Sequence, residues 1–264
     1  MATKASDRPN ESKNTDRISF YDDDKKSYEQ FWEGRDYEHH SEILAIKKLL
    51  EGKHFALTMD FGGGYGRVSP ALLEFTDKLI LVDPSSKQLD IGRRFLKDYP
   101  NVEYVKVDKK DTVPAKDNTI DLLVMIRVSH HLAEPGPILA EIYRALKPGG
   151  EAMLEIANEA HFKNRIRYLS KLQSVPYEST PIGQYANGKQ ESTPFYNHNP
   201  KLITDLLIKT GFMIERKLSV SNLRSQFIKS KVSMDQMLKI EKQVQDKVAF
   251  IDFGPSIFYL IRKP

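Results

Sequence analysis

The residues best suited to chemistry form a glycine-rich turn at 60–66. Asp60 ends an apolar run, and Gly62, Gly64 and Gly66 follow it at alternate positions. Glycine lets the backbone turn sharply and approach a bulky ligand without a Cβ in the way. A second acid, Asp83, ends the next apolar run. The pattern predicts a nucleotide-like ligand at the carboxyl edge of a parallel sheet.

Several kinds of glycine loop compete for this pattern. A P-loop ends in glycine, lysine and serine or threonine, but Gly66 is followed by Arg67. A dinucleotide loop requires glycine three residues beyond Gly64, where Arg67 lies, so it fits poorly. Asp60 would repel a pyrophosphate and attract a ligand that carries an amine and a sulfonium. The alternatives left open are a dinucleotide site, to which Asp83 is also suited, and a purely structural turn.

Alternating strands and helices position these residues. Strands are predicted at 55–61, 78–82, 102–107, 120–126, 151–156, 213–220 and 256–261, from apolar runs bounded by turn residues. Helices are predicted at 42–50, 65–75, from Ser85 or Ser86 to about 99, and at 137–146, 162–172, 202–209 and 234–248. The alternation indicates βαβ units with right-handed crossovers and a mainly parallel sheet.

Composition places the chain among ordinary globular enzymes. Its 264 residues are 40% hydrophobic and 29% charged, and no cysteine is present, which excludes disulfides, zinc–thiolate sites and cysteine nucleophiles. The net charge of +4 is spread along the chain, so no nucleic-acid partner is expected. No apolar run approaches the roughly 20 residues of a membrane span. The polar N-terminus does not resemble a signal peptide, and a cytoplasmic location is expected.

The chain resembles the class I S-adenosylmethionine-dependent methyltransferases, specifically the small-molecule group similar to ubiquinone/menaquinone C-methyltransferases. The resemblance covers roughly residues 55–156. The motifs that carry it follow in order at 59–67, 81–85, Asp108, 117–123, 129–132 and 146–150. It implies a Rossmann-like three-layer α/β sandwich of about seven strands, with an antiparallel last hairpin. It also implies S-adenosylmethionine as the cofactor and S-adenosylhomocysteine as its product.

The resemblance implies roles for individual positions. Those at the methionine end of the cofactor are Asp60, Gly62, Gly63, Gly64 and Gly66; those at the ribose and adenine are Asp83, Pro84, Asp108 and Lys109; those beside the sulfonium are Ile126 and Arg127. Arg127 stands where a small or apolar residue is common. It either pairs with an acidic substrate or forms a salt bridge within the protein.

Two histidines are the candidate catalytic residues. Methyl transfer is an in-line displacement that requires a base only when the nucleophile must lose a proton. His130 and His131 follow the fourth strand at the mouth of the expected pocket, and histidine titrates near working pH. The alternative is that one of them only packs. No metal site is predicted, and His39 and His40 are interpreted as solvated helix surface.

The flanking segments are predicted to cover the site. We expect a disordered tail at 1–17 and a single domain at 18–264, with an N-terminal helical cover at 18–52 and a lid insertion at 157–198. Aromatic rings attract a sulfonium, so Tyr28 and Tyr37 are assigned to the cofactor, although core packing is an equal alternative. Late polar groups either contact substrate or cap elements; they include Glu155 and Asn158, expected to face the cleft, and Asn197, His198 and residues 221–224.

The predicted function is methyl transfer from S-adenosylmethionine to a small organic acceptor. The alternatives are a cofactor-binding protein without turnover and, less favoured because of Asp60 and Arg67, a nicotinamide-dependent oxidoreductase. No Asn/Asp-Pro-Pro-aromatic segment follows the fourth strand, which argues against methylation of exocyclic base or glutamine amines. Carbon, oxygen and nitrogen acceptors remain open, and no pattern indicates an oligomeric state.

Overall fold

The computed structural model describes residues 32–108, 111–182, 185–186, 189–190 and 195–264. The strands β1 to β11 are Phe55–Phe61, Thr76–Asp83, Val102–Lys106, Ile120–Met125, Leu146–Ala157, Thr180–Ile182, Tyr185–Ala186, Lys189–Gln190, Phe195–Asn197, Met213–Val220 and Ser256–Arg262. The helices α1 to α8 are Asp36–Leu49, Ser69–Leu73, Ser86–Phe95, Gly136–Ala145, Phe162–Ser170, Pro200–Thr210, Gln226–Lys229 and Met234–Lys247. Two 3-10 turns lie at Ser129–His131 and Ala249–Ile251.

A seven-stranded sheet organises the domain, in the order β10-β11-β5-β4-β1-β2-β3. The pairs among β1 to β5 are parallel, whereas β11 is antiparallel to both β5 and β10. The predicted sheet with an antiparallel last hairpin is therefore confirmed. Because β11 reverses direction between them, β5 and β10 run the same way. The carboxyl end of β10 consequently lies at the same edge as the carboxyl ends of β1, β2, β4 and β5.

The sheet separates two hydrophobic cores, because successive strand residues face opposite sides. Along β4, the fully buried Leu123 belongs to one core and Val124 to the other. Helices α4 and α6 supply the first core, and α1, α2 and α3 the second. Helix α8 packs on α1 and β10. Three layers result, as in α/β folds generally. Within the described ranges, no helix is long and apolar enough to cross a membrane.

Local signals explain most element boundaries. The Ser85 hydroxyl accepts a hydrogen bond from Gln88 N at 3.2 Å and starts α3. Gly211 ends α6 with a left-handed φ of 104°. The helix predicted at 65–75 is only Ser69–Leu73, since the glycine turn continues through Gly66. The predicted helix at 42–50 begins earlier, at Asp36.

Candidate active site

The glycine turn at the end of β1 has the backbone that its composition predicts. Gly62, Gly64 and Gly66 have φ angles of 72°, 60° and 82°, in the left-handed region that favours glycine. A Cβ on Gly62 would lie 2.4 Å from Val128 Cγ2, so a side chain there would collide. The Gly62 N–H donates to the Val82 carbonyl at 2.7 Å, which holds the turn against β2. The turn is thus a rigid, side-chain-free edge.

Asp60 lies under this turn rather than on its surface. Its carboxylate is 1% exposed and accepts a hydrogen bond from the Ser69 hydroxyl at 2.8 Å. Burial raises the pKa of Asp60 to about 6, although the Ser69 hydrogen bond and the Arg67 charge oppose the increase. A direct contact between Asp60 and a cofactor amine therefore does not match this geometry.

Asp83 connects the glycine turn to α3. One of its oxygens accepts from Gly64 N at 2.9 Å, and the other accepts from Ser85 N at 2.9 Å. An acid at the end of the second strand suits the hydroxyl groups of a ribose. In the first turn of α3, the buried Gln88 has no hydrogen-bond partner for either amide atom among the described residues. A polar ligand at this edge would supply such partners.

The residues present therefore fit S-adenosylmethionine, with the glycine turn and Asp83 able to hold it. Pro84 is half-buried beside Asp83, and Ile126 is 5% exposed at the end of β4. Asp108 is exposed beyond β3, on the side expected for adenine. Lys109 and Tyr28 lie outside the described residues.

A buried ion cluster lies beside the turn. Glu42, fully buried in α1, accepts hydrogen bonds from the Arg67 guanidinium and, at 2.7 Å, from Arg127 Nε. Burial alone would raise the pKa of Glu42, but Arg127 and Arg67 hold it below its usual value. The Trp32 ring stacks on Arg67, 3.5 Å from ring centroid to Cζ. Of the two interpretations of Arg127, the structure shows the salt bridge within the protein.

The prediction that His39 lies on a solvated helix surface is wrong, because His39 packs against Arg67. His39 is half-buried, and its Nδ1 lies 2.6 Å from Arg67 Nη1. Burial and the Arg67 charge lower the pKa of His39. His40 is exposed, as predicted. The packing of α1 therefore buries part of His39 and leaves the adjacent His40 exposed, although the sequence pattern predicted the same exposure for both.

The acids and amides after β5 have structural roles, so the expectation that they face the cleft is wrong. Glu155 is fully buried and accepts from Arg127 N at 3.0 Å and from the Ser256 hydroxyl at 2.7 Å. Burial raises the pKa of Glu155, partly offset by Arg127. Asn158 is also buried and donates to the carbonyls of Asp252 and Gly254, each at 2.7 Å. Both residues fix the ends of neighbouring strands.

Tyr37 likewise does not lie against the expected cofactor. It is 1% exposed, and its hydroxyl donates to Glu241 Oε2 at 2.6 Å. The same hydroxyl accepts from Leu223 N at 2.9 Å. The assignment of Tyr37 to the cofactor is therefore corrected, because packing of α1 on α8 consumes both its ring and its hydroxyl. The core-packing alternative describes it.

The two candidate catalytic histidines lie together in the 3-10 turn after β4. Their half-buried rings are 4.1 Å apart between centroids. Phe195 of β9 packs edge-on against both, at 4.7 Å from His130 and 5.0 Å from His131. His198 holds this strand in place, because its Nε2 lies 2.9 Å from the Ser129 carbonyl oxygen. Strand β9 thus covers the two histidines.

One cation beside the site, Arg224, was considered in the sequence analysis only within the polar residues 221–224, which could contact substrate or cap an element. Arg224, exposed in the turn after β10, faces the charges of Arg127, Glu38, Arg35 and Glu155. The surrounding protein desolvates its guanidinium and, with the Arg127 charge, lowers the pKa of Arg224. Arg224 is thus exposed at this edge of the sheet, and the neighbouring protein shields part of its guanidinium. The sequence signal was only a polar turn following a strand.

Three kinds of comparison agree with this geometry. A family model described as a methyltransferase domain matches residues 59–172. The chain is similar to the tRNA 5-carboxymethoxyuridine methyltransferase of Escherichia coli K12, at 22% identity over 78% of this chain and 79% of that protein. It is also similar to a ubiquinone/menaquinone biosynthesis C-methyltransferase of Escherichia fergusonii, at 30% identity over 36% of this chain and 40% of that protein.

A crystal structure of an S-adenosylmethionine-dependent methyltransferase from Mesorhizobium loti has the same fold. The TM-score is 0.57 at 15% identity, covering 84% of this chain and 97% of the other. The glycine turn, the acid at the end of β2, the sheet order and the matched family model are mutually consistent. Residues 59–172 match a methyltransferase domain, and the chain has the fold of S-adenosylmethionine-dependent methyltransferases.

Proposed function

We propose that this enzyme transfers the methyl group to a small organic acceptor and releases S-adenosylhomocysteine. The observation that carries the proposal is the cover formed by Phe195 over His130 and His131. A ring packed on both candidate bases leaves a confined acceptor position, which suits a small molecule. A polynucleotide acceptor would favour an open basic face with stacking aromatics.

Particular residues would perform the steps. When bound, the cofactor supplies a methyl group activated by a sulfonium. The glycine turn and Asp83 would hold it at the end of β1 and β2. The acceptor would lie beyond Ile126, where the buried strand ends and the covered histidines begin. His130 or His131 would take the proton that an oxygen or nitrogen nucleophile loses.

The strand β9 would exclude water from this position. It pairs with β6, and an isolated bridge joins Asn158 to His198. Strands β6 and β9, which belong to the lid predicted at 157–198, would therefore cover the acceptor. Because the incoming nucleophile must align with the breaking carbon–sulfur bond, such confinement contributes by orienting the acceptor.

The test is a methyl-transfer screen against a metabolite panel, with mass detection of products heavier by one methyl group. Total transfer RNA lacking modification serves as a parallel acceptor, since one relative is named for such a substrate. The proposal expects small-molecule products and no methylated RNA. Methylation of RNA alone would overturn it.

The histidines are tested separately from the cofactor. His130→Asn and His131→Asn should leave S-adenosylhomocysteine binding within about twofold, and at least one should lower turnover roughly 100-fold if it acts as the base. If both variants turn over as fast as the wild type, the two histidines have a packing role only.

A further inference from the structure

We propose that the methyl acceptor carries a carboxylate and that Arg224 binds it. The inference rests on the proposed function, since it names the class of small molecule that the site accepts. Four features support it: the place of Arg224 in the sheet, the way its turn is held, the absence of a partner for its charge among the described residues, and the effect of that charge on a neighbouring histidine.

The topology places Arg224 on the acceptor side of the edge. Its turn follows β10, and β10 is separated from β1 by β11, β5 and β4. Adjacent strands lie 4.7–4.9 Å apart, so the glycine turn at the end of β1 is about 19 Å along the edge. Arg127, at the end of β4, lies between the two and senses the Arg224 charge. Arg224 therefore approaches the region beyond the sulfonium from the side away from the ribose.

The backbone of the turn at 221–224 is firmly held. The N–H groups of Ser221 and Asn222 donate to the two oxygens of Glu241, at 2.8 and 3.2 Å. The Leu223 N–H donates to the Tyr37 hydroxyl at 2.9 Å. Ser221 has a left-handed φ of 62°, an unusual conformation for a residue other than glycine. Strained backbone that its surroundings enforce is typical of binding sites.

The third feature is the charge of Arg224 itself. Within the described part of the chain, the Arg224 guanidinium forms no ion pair or hydrogen bond. Neighbouring charges do have partners: Arg127 pairs with Glu42, and Glu38 pairs with Lys229 at 2.8 Å. An arginine stays protonated at any physiological pH, so Arg224 presents a positive charge at this edge of the sheet. The planar guanidinium can bind a carboxylate through two parallel hydrogen bonds.

The Arg224 charge also acts on His161. It precedes α5 at the end of the β5 connection. Burial lowers the pKa of His161 to about 4, and the charges of Arg224, Arg167 and Lys163 contribute. An anion bound by Arg224 would neutralise one of these charges. The cleft is therefore electrostatically complementary to an anion and unfavourable for a cation.

The first experiment compares acids with their amides as acceptors. The panel contains hydroxylated and aminated aromatic and aliphatic carboxylic acids, each with its primary amide and, where available, its phosphate ester counterpart. We expect the wild type to methylate acids in preference to amides. Arg224→Gln should lose roughly 10- to 100-fold in kcat/KM on the best acid, the usual effect of a charge-assisted pair. Arg94→Gln, the same change at an exposed position of α3, should have no effect.

Two results would overturn the inference in this experiment. One is an Arg224→Gln variant that methylates acids within twofold of the wild type; the other is a wild type that prefers amides or phosphate esters. The cofactor carries a carboxylate too, so S-adenosylhomocysteine affinity is measured in every variant. A tenfold loss of that affinity in Arg224→Gln would assign the arginine to the cofactor and likewise overturn the inference.

The second experiment requires no turnover. In the enzyme loaded with S-adenosylhomocysteine, the His161 pKa is followed by NMR during titration with benzoate or benzamide. We expect benzoate to raise it in the wild type, benzamide to leave it unchanged, and Arg224→Gln to abolish the benzoate effect. No shift with benzoate would contradict the inference. If no panel member is methylated, the proposed function fails, and this titration alone decides whether Arg224 binds a carboxylate.

Discussion

The Tyr37 hydroxyl donates a 2.6 Å hydrogen bond to Glu241 Oε2 and so joins two helices 204 residues apart in sequence. Burial, followed by the Glu241 charge, raises the pKa of Tyr37 above its usual value. Burial also raises the pKa of Glu241, although its hydrogen bonds oppose this. Tyr37 therefore remains a neutral donor. Tyr37 and Glu241 also accept hydrogen bonds from three backbone N–H groups of the turn that carries Arg224.

Tyr37→Phe should destabilise the fold and impair acceptor binding together. The variant leaves the Leu223 N–H without its acceptor and removes a donor from Glu241. An unsatisfied buried group costs about 1–3 kcal/mol, so the free energy of unfolding should fall by that amount. Urea unfolding measures it, and kcat/KM for the acceptor should fall more than cofactor affinity does. Tyr99→Phe, at a residue that is 38% exposed, is the matched control. A variant as stable as that control would show that the network does not hold the turn.

Glu42→Gln should be among the most destabilising single changes in the domain. It leaves the guanidinium groups of Arg67 and Arg127 without their shared carboxylate. Breaking a buried ion pair costs about 3–5 kcal/mol. Glu74→Gln removes the partner of Lys47 in a surface pair whose side chains are 46% and 51% exposed, and should cost less than about 1 kcal/mol. Comparable losses in the two variants would contradict the structural role of Glu42.

Low pH should weaken the buried ion cluster of Glu42, Arg67 and Arg127. The folded-state pKa of Glu42 lies below its usual 4.5, so its contribution to stability is complete above that pH. The contribution is lost as the pH falls through the lower folded-state pKa. The stability difference between wild type and Glu42→Gln should therefore shrink in acid.

Asp60→Asn should stabilise the cofactor-free protein while weakening cofactor binding. The pKa of Asp60 rises from 3.8 to about 6 on folding, so the ionised carboxylate is unfavourable at neutral pH. Removing it should increase the free energy of unfolding by roughly 1–3 kcal/mol at pH 7. The gain should disappear as the pH falls from 6 to 4, because folded Asp60 then becomes protonated. Urea unfolding at both pH values measures the effect, and a loss of stability at pH 7 would contradict it.

The affinity for S-adenosylhomocysteine should also depend on whether Asp60 is protonated. The ammonium group of S-adenosylhomocysteine, bound near the turn, favours ionised Asp60, so binding should weaken as the pH falls below about 6. Calorimetric titration across this range should give a flat profile for Asp60→Asn. An unchanged pH dependence in the variant would show that another group is responsible.

Asp83→Ala should reduce cofactor affinity at least roughly tenfold. It removes the acceptor expected for ribose hydroxyls and releases the N–H groups of Gly64 and Ser85. Asp83→Asn keeps one of these acceptors and should have a smaller effect. Equilibrium binding of S-adenosylhomocysteine measures both variants, with NADH as the nucleotide that should not bind. Unchanged binding by Asp83→Ala would disprove the cofactor-binding role of this acid.

The strands and the glycine turn could be predicted from the sequence because their signals are local. Phe55–Phe61 and Met213–Val220 have the bounds that their apolar patterns predicted. The glycines at 62, 64 and 66 have the left-handed backbone that their spacing required. Helix ends were less accurate. The chain continues its glycine turn before Ser69, and α3 stops at Phe95 rather than near 99, since side-chain packing decides how far a helix extends.

Roles of polar side chains were harder to predict, as Tyr37, Glu155 and Asn158 show. Each lies near a strand end or the N-terminal cover, where a ligand contact was a reasonable expectation. In the structure, each is buried and bonded to a distant segment: Tyr37 to Glu241, Glu155 to Ser256 and Asn158 to Gly254. Such long-range partners have no periodicity or spacing by which a sequence pattern reveals them.

The sequence by itself determined the alternation of strands and helices, the glycine turn, and the acids that indicate which cofactor donates the methyl group. These depend on backbone conformation and on residues close in the chain. Only the tertiary structure decided which of two arginines has an ion-pair partner among the described residues. Glu42 of α1 neutralises Arg127 across 85 residues, whereas Arg224 lies in a turn held by Tyr37 and Glu241 and retains its charge. Long-range electrostatics depends on distances that folding alone creates.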